Sequence, residues 1–163
     1  MISMINVRPA NENELDRINE LRKEVNDLHV QGKPEVFKPG FSDELKDYIR
    51  VIWEDPEKDI AVAEQDGVLC GFAVLHRVRK PETPFMFARE YLDVDEFGVD
   101  EAYRRQGVAT ALIDFIRAYA KEQGLHRIEL NMWEFNSGAL AFYEAAGFQT
   151  YRRYMELILE DTK

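Results

Sequence analysis

The stretch REYLDVDEFGVDEAYRRQGVATALIDFIRAYAKEQG, residues 89–124, reads as a strand, a tight turn and a long helix. Its strand half, residues 91–99, sets Tyr91, Val94, Phe97 and Val99 among Asp93, Asp95 and Glu96. The turn is Arg104-Arg105-Gln106-Gly107-Val108-Ala109. Val108, Ala111, Leu112, Phe115 and Tyr119 then recur at helical spacing. Gly124 stands where a left-handed residue closes a helix. A helix that starts in such a turn exposes its first N–H groups, and its dipole adds partial positive charge there. A diphosphate fits that end. Gly107 and the small Ala109 let an anion approach the main chain, and Arg104 and Arg105 add charge. The Walker ending Gly-Lys-Ser/Thr is missing, and so is the dinucleotide pattern G-x-G-x-x-G.

Upstream, residues 5–8 alternate as a first strand stopped by Pro9. Asn11 or Asn13 caps a helix whose apolar stripe is Leu15, Ile18, Leu21, Val25 and Leu28. Residues 29–40 hold two prolines and two glycines and read as a loop, with His29 and Phe37 offered as one wall of a substrate pocket. Ser42 caps a second helix carrying Leu45, Tyr48, Ile49, Ile52 and Trp53, closed by Pro56. Residues 60–65 and 68–78 form a hairpin through Asp66-Gly67. Downstream, residues 127–132 alternate as a strand, Asn136 or Ser137 opens a short helix ending near Gly147, and residues 148–159 read as a last, long strand. The order β-α-α-β-β-β-α-β-α-β implies an α/β fold, a mixed sheet with helices on both faces.

The chain of 163 residues is about one domain long. No apolar run approaches the roughly 20 residues that span a bilayer, and the first five residues lack the order of a signal peptide. The single Cys70 permits neither an internal disulfide nor a cysteine metal cluster. A cytoplasmic location is expected. The net charge of −10 argues against nucleic acid and anionic membrane as partners, and mildly favours a cationic substrate.

Two motifs carry a resemblance. Arg104, Gly107 and Ala109 fill Arg/Gln-x-x-Gly-x-Gly/Ala; Asn136, Ala139, Tyr143, Gly147 and Phe148 fill N-x-x-A-x-x-x-Y-x-x-x-G-F. Together, in this order, they resemble the GNAT family of N-acetyltransferases over roughly residues 92–154. Glu101 stands where many members have proline, and Ala109 where many have glycine. The resemblance implies one domain over residues 1–163, with a six- to seven-stranded sheet whose fourth and fifth strands splay around acetyl-CoA. It implies direct acetyl transfer to a primary amine of a small molecule, peptide or protein. A non-catalytic acyl-CoA-binding module and a longer-chain acyltransferase are the alternatives.

The same resemblance assigns residues. Backbone groups of Phe97, Gly98 and Val99 would pair with the pantetheine. Arg104, Arg105, Gln106, Gly107, Val108, Ala109 and Thr110 would hold the pyrophosphate. Asn136, Ala139, Phe142 and Tyr143 would line the cofactor arm, with Tyr143 protonating the departing thiolate. An amine arrives mostly as ammonium at neutral pH, so a base is wanted. Asp93, Asp95 and Glu96 are the candidates. Strand alternation puts Asp93 and Asp95 on the face of Phe97 and Val99, and Glu96 on the other unless a bulge shifts the phase. No metal is expected, since His29, His76 and His126 are scattered. Relatives are commonly dimers, which leaves a homodimer open.

Overall fold

A computed structural model describes residues 4–160 of the chain. Five strands, β1 (Ile5–Pro9), β2 (Lys58–Gln65), β3 (Val68–Lys80), β4 (Arg89–Val99) and β5 (Ile128–Leu130), lie side by side in chain order. The first four are antiparallel; β5 joins β4 in parallel. Among the described residues four α-helices complete the fold: α1 (Leu15–Gly32), α2 (Asp43–Glu54), α3 (Val108–Glu122) and α4 (Ser137–Ala145).

Local signals place most of these elements. Asp66 and Gly67 take positive φ angles of 51° and 84°, the two-residue turn whose twist matches a right-handed hairpin. Ser42 Oγ accepts from the Leu45 amide and starts α2. Asn11 and Glu14 form a capping box ahead of α1. α1 continues through His29 to Gly32, so the loop begins four residues later than proline and glycine content implies.

The sheet carries a core on each face. Leu15, Ile18 and Leu21 of α1 and Ile49 and Ile52 of α2 pack on Ile60, Val62, Phe72 and Val74. Ile113, Ile116 and Ala120 of α3 pack on Ala73, Leu75, Leu92 and Val94. Residues with alternating faces on β3 thus serve both layers, which is why that strand reads as a continuous apolar run.

The end of the chain departs from expectation. Among the described residues the sheet has five strands, not six or seven, and the strand expected at 148–159 pairs with nothing. From Tyr154 onward that segment is apolar on both faces (Tyr154, Met155, Leu157, Ile158, Leu159, all exposed), so alternation selects no inward face. Its neighbour β5 is three residues long and offers little edge to pair with.

Candidate active site

The site is organised by an irregularity in β4. Leu75 pairs with Val94 and the next β3 residue, Val74, pairs with Glu96. Asp95 is the extra residue of a β-bulge, and it inverts the facing of everything after it. Phe97 and Val99 therefore pack toward α3, in clusters with Val108, Leu112, Phe142 and Tyr143. Gly98 faces α1, where a Cβ would come within 2.7 Å of Val25 and 2.8 Å of Phe72.

The carboxylates take the opposite face. Asp93 pairs in register with His76, which pairs with Lys58, while Glu129 flanks Asp93 on β5. Asp95 reaches the Lys58 ammonium at 3.2 Å. Glu96 accepts from Arg22 Nε of α1 at 2.8 Å. The expectation that Asp93 and Asp95 share a face with Phe97 and Val99 is thus overturned, because simple alternation fails across a bulge. All three acids lie on the side of α1 and α2.

Their environments differ. Glu96 is locked to Arg22, whose side chain is 6% exposed. Asp93 is partly buried, and its carboxyl is pushed up to about 7 by burial, then by the neighbouring Asp95 and Glu129, with Lys58 opposing. One ligand atom each from His76, Asp93 and Asp95 lies within 4.8 Å of the others. A divalent cation could bridge such a set, though the Lys58 ammonium already supplies positive charge there. His76, expected to stand apart, belongs to this cluster.

On the other side β4 supplies main chain. Its pairing with β5 ends at Val94 and Leu130, so from Asp95 to Val99 it is hydrogen-bonded to β3 alone. β5 ends there, and the β4 edge beyond Val94 has no partner strand among the described residues. Beyond that edge the turn into α3 takes positive φ at Arg105 (62°) and Gly107 (93°). The first α3 amide to bond back is that of Ala111, to Gly107 O at 3.0 Å. Those of Val108, Ala109 and Thr110 precede the helical ladder, no side chain caps them, and no acid stands in the first turn. Around Gly107 the nearest atom to an added Cβ is Ile5 Cδ1 at 3.7 Å, so its φ rather than crowding demands glycine.

The flanking side chains divide. Arg105 and Thr110 are exposed. Arg104 Nε donates to Val99 O at 3.4 Å, tying the turn to β4. Gln106 is a brace, accepting from Gln65 at 2.9 Å and donating to Ala102 O. Asn136 caps α4, its side chain accepting from the Ala139 amide at 3.1 Å. Tyr143 sits edge-on to Phe97, Phe142 and Phe148 at 6.1, 5.4 and 5.6 Å. Burial pushes its phenol up to about 12, which keeps the proton on it at neutral pH.

His29 and Phe37 stack at 4.9 Å. They meet Trp133 and Phe135 from the segment after β5, with Phe37 and Trp133 at 5.0 Å. Burial holds the His29 imidazole below its ordinary range. Sequence reading missed four members of the site: Lys58, His76, Trp133 and Phe135. The aromatic pair at the end of a strand was a visible signal; the other two needed the strand register.

The profile described as the acetyltransferase (GNAT) family matches residues 22–148. An uncharacterised N-acetyltransferase of Methanocaldococcus jannaschii is 39% identical over 107 residues, 63% of this chain and 44% of that one. The chain spans half or less of the length of the curated relatives it matches. Among solved structures, a mutant Bacillus halodurans protein superposes with a TM-score of 0.90 at 24% identity, covering 95% of this chain and 99% of that one. An aminoglycoside N-acetyltransferase in complex with CoA gives 0.75 at 20% identity, covering 98% and 97%.

Proposed function

The chain belongs to the acetyltransferase (GNAT) family, and from that premise we propose that it transfers the acetyl group of acetyl-CoA directly to a primary amine. The observation that carries this reading is the unpaired edge of β4 beyond Val94, with free amides at one end and carboxylates facing the other side. Main-chain groups of Phe97, Gly98 and Val99 would pair with the pantetheine, and the amides of Val108, Ala109 and Thr110 would grip the diphosphate. Arg105 adds charge at the rim. The CoA complex of a protein of the same fold supports this placement.

Asp93 takes the proton from the attacking ammonium. Its raised pKa brings it near the operating pH, where a general base works best. The amine nitrogen then bonds to the thioester carbonyl carbon, the carbon–sulfur bond breaks, and the Tyr143 phenol protonates the departing thiolate. Asp95 and Lys58 set the charge around Asp93, and Glu96 serves as a structural partner of Arg22. His29 and Phe37, with Trp133 and Phe135, would wall the acceptor. The exposed apolar side chains of Tyr154, Met155, Leu157, Ile158 and Leu159 support a homodimer. The lone buried Cys70 fits a reducing compartment such as the cytoplasm.

A free-thiol assay with acetyl-CoA and a panel of amines tests the reading. Amine-dependent thiol release is expected, with a matching mass gain of one acetyl group on the acceptor. Tight CoA binding without release for any amine contradicts it and leaves the non-catalytic alternative.

A further inference from the structure

Resting on that reading, we propose that the cavity at the start of β4 binds a carboxylate carried by the acceptor, so that the substrate is a long ω-amino acid or a short peptide with its anion about 10 Å from the reactive nitrogen. The cavity has a volume of about 270 Å³ and is lined by Lys80, Arg89 and Arg152 together with Thr83, Met86 and Phe87. Three cations and no carboxylate line it, in a chain of net charge −10. Met86 and Phe87 expose apolar side chains at its wall.

Arg89 is the centre of the argument. Its Nε is buried and has no hydrogen-bond partner. The Arg89 Nη1 atom, not Nε, meets the acid Glu129, at 3.6 Å from Oε2, beyond a good hydrogen bond. Glu129 already accepts from Arg127 Nε and Tyr151 Oη, each at 2.6 Å. A buried donor without an acceptor costs free energy, and a carboxylate would satisfy it. The guanidinium lies 5.1 Å from the Tyr91 ring centroid, which orients the fork. The rim is also held, by Thr83 N to Met86 O at 2.9 Å and Met86 N to Thr83 Oγ1 at 3.0 Å.

The cavity and Asp93 lie on one surface. Before the bulge, Arg89, Tyr91 and Asp93 alternate onto the same face of β4, and Glu129 flanks both ends of that run. Four residues of strand separate their Cα atoms by ~13 Å. Ligand atoms held a hydrogen-bond length inside the Arg89 and Asp93 side chains shorten the reach to roughly 10 Å. An acceptor spanning it places its amine at Asp93 and its anion in the Arg89 fork. This reconciles an acidic protein, which attracts the amine, with a local cationic pocket.

The test compares 8-aminooctanoate, about 10 Å from nitrogen to carboxyl, with 8-aminooctanamide as acceptors, and follows the Arg89 Nε–H resonance by NMR with octanoate and octanamide. The acid is expected to exceed the amide in kcat/KM by about tenfold or more, the worth of one charge-assisted pair. In Arg89→Gln and in the exposed, fold-neutral Arg152→Gln that ratio falls toward one. Octanoate, and not octanamide, shifts the Arg89 resonance. Equal rates for acid and amide, or a preference that survives both substitutions, overturn the proposal. If no amine is acetylated, the transferase reading falls, and the NMR arm decides alone: an octanoate-selective shift upholds the anion site, and no selective shift removes it.

Discussion

The two sides of β4 are built from different materials. Toward α3 the candidate cofactor side is made of main chain: the unpaired edge of residues 95–99 and three amides at the start of a helix. Toward α1 and α2 the candidate acceptor side is made of side chains drawn from β2, β3, β4 and β5, with an aromatic wall from α1 and two loops. A main-chain site is specified by local conformation, so one glycine at a φ of 93° announces it. A side-chain site is specified by register. One extra residue at Asp95 decides which face Glu96 and the residues after it meet.

Substitutions on each side should therefore fail in different ways. The largest effect is expected for Asp93→Asn. It should lower kcat/KM by roughly 10²- to 10⁴-fold, the usual worth of a general base. In the wild type kcat/KM should rise with pH through about 7 as Asp93 loses its proton, and that limb should vanish in the variant. A full pH–rate profile checks both. Tyr143→Phe should lower kcat by about 10²-fold while leaving the Kd of CoA little changed, since the ring and its packing remain. Single-turnover kinetics beside a calorimetric Kd separate the two.

Gly107→Val attacks the main-chain side alone. A β-branched residue at that φ costs about 1–2 kcal/mol. CoA affinity should drop about tenfold, with kcat at saturation far less affected, as calorimetry and initial rates would reveal. Lys58→Met sharpens the other side. Losing the cation that opposes the Asp93 shift should move the kcat/KM limb upward in pH. A downward move would mean that Lys58 does not face Asp93.

The smallest effect is on stability. Asp93 has a folded pKa raised above the ordinary 3.8, so its contribution is most favourable below that value and is lost as pH rises through about 7. Asp93→Asn should then gain on the wild type between pH 4 and 7. The gain at pH 8 should be about 1–2 kcal/mol after allowance for solvent screening. Urea unfolding at pH 5 and pH 8 measures it.

How much was legible in the sequence follows the same division. Residues 89–124 gave the strand, the turn and the helix in the right order, because hydrophobic period and glycine placement are local. The Asp66-Gly67 hairpin and the Ser42 and Asn136 caps were legible for the same reason. A bulge in β4 was legible only as a condition that would turn Glu96; its position was not, since nothing local distinguishes Asp95 from its neighbours. Lys58 and His76 were invisible because 17 or more residues separate each from its partners near Asp93. The last strand, expected over 148–159, did not form because apolar residues on both faces of 154–159 do not fix a pairing.

The central claim is that the amides opening α3 and the free edge of β4 form one continuous coenzyme site. Amide chemical-shift mapping with CoA tests it most directly. The account predicts that Val108, Ala109 and Thr110 shift most, joined by Phe97, Gly98 and Val99. Saturating CoA that leaves those six amides unmoved, or moves chiefly the residues around Arg89, would contradict it.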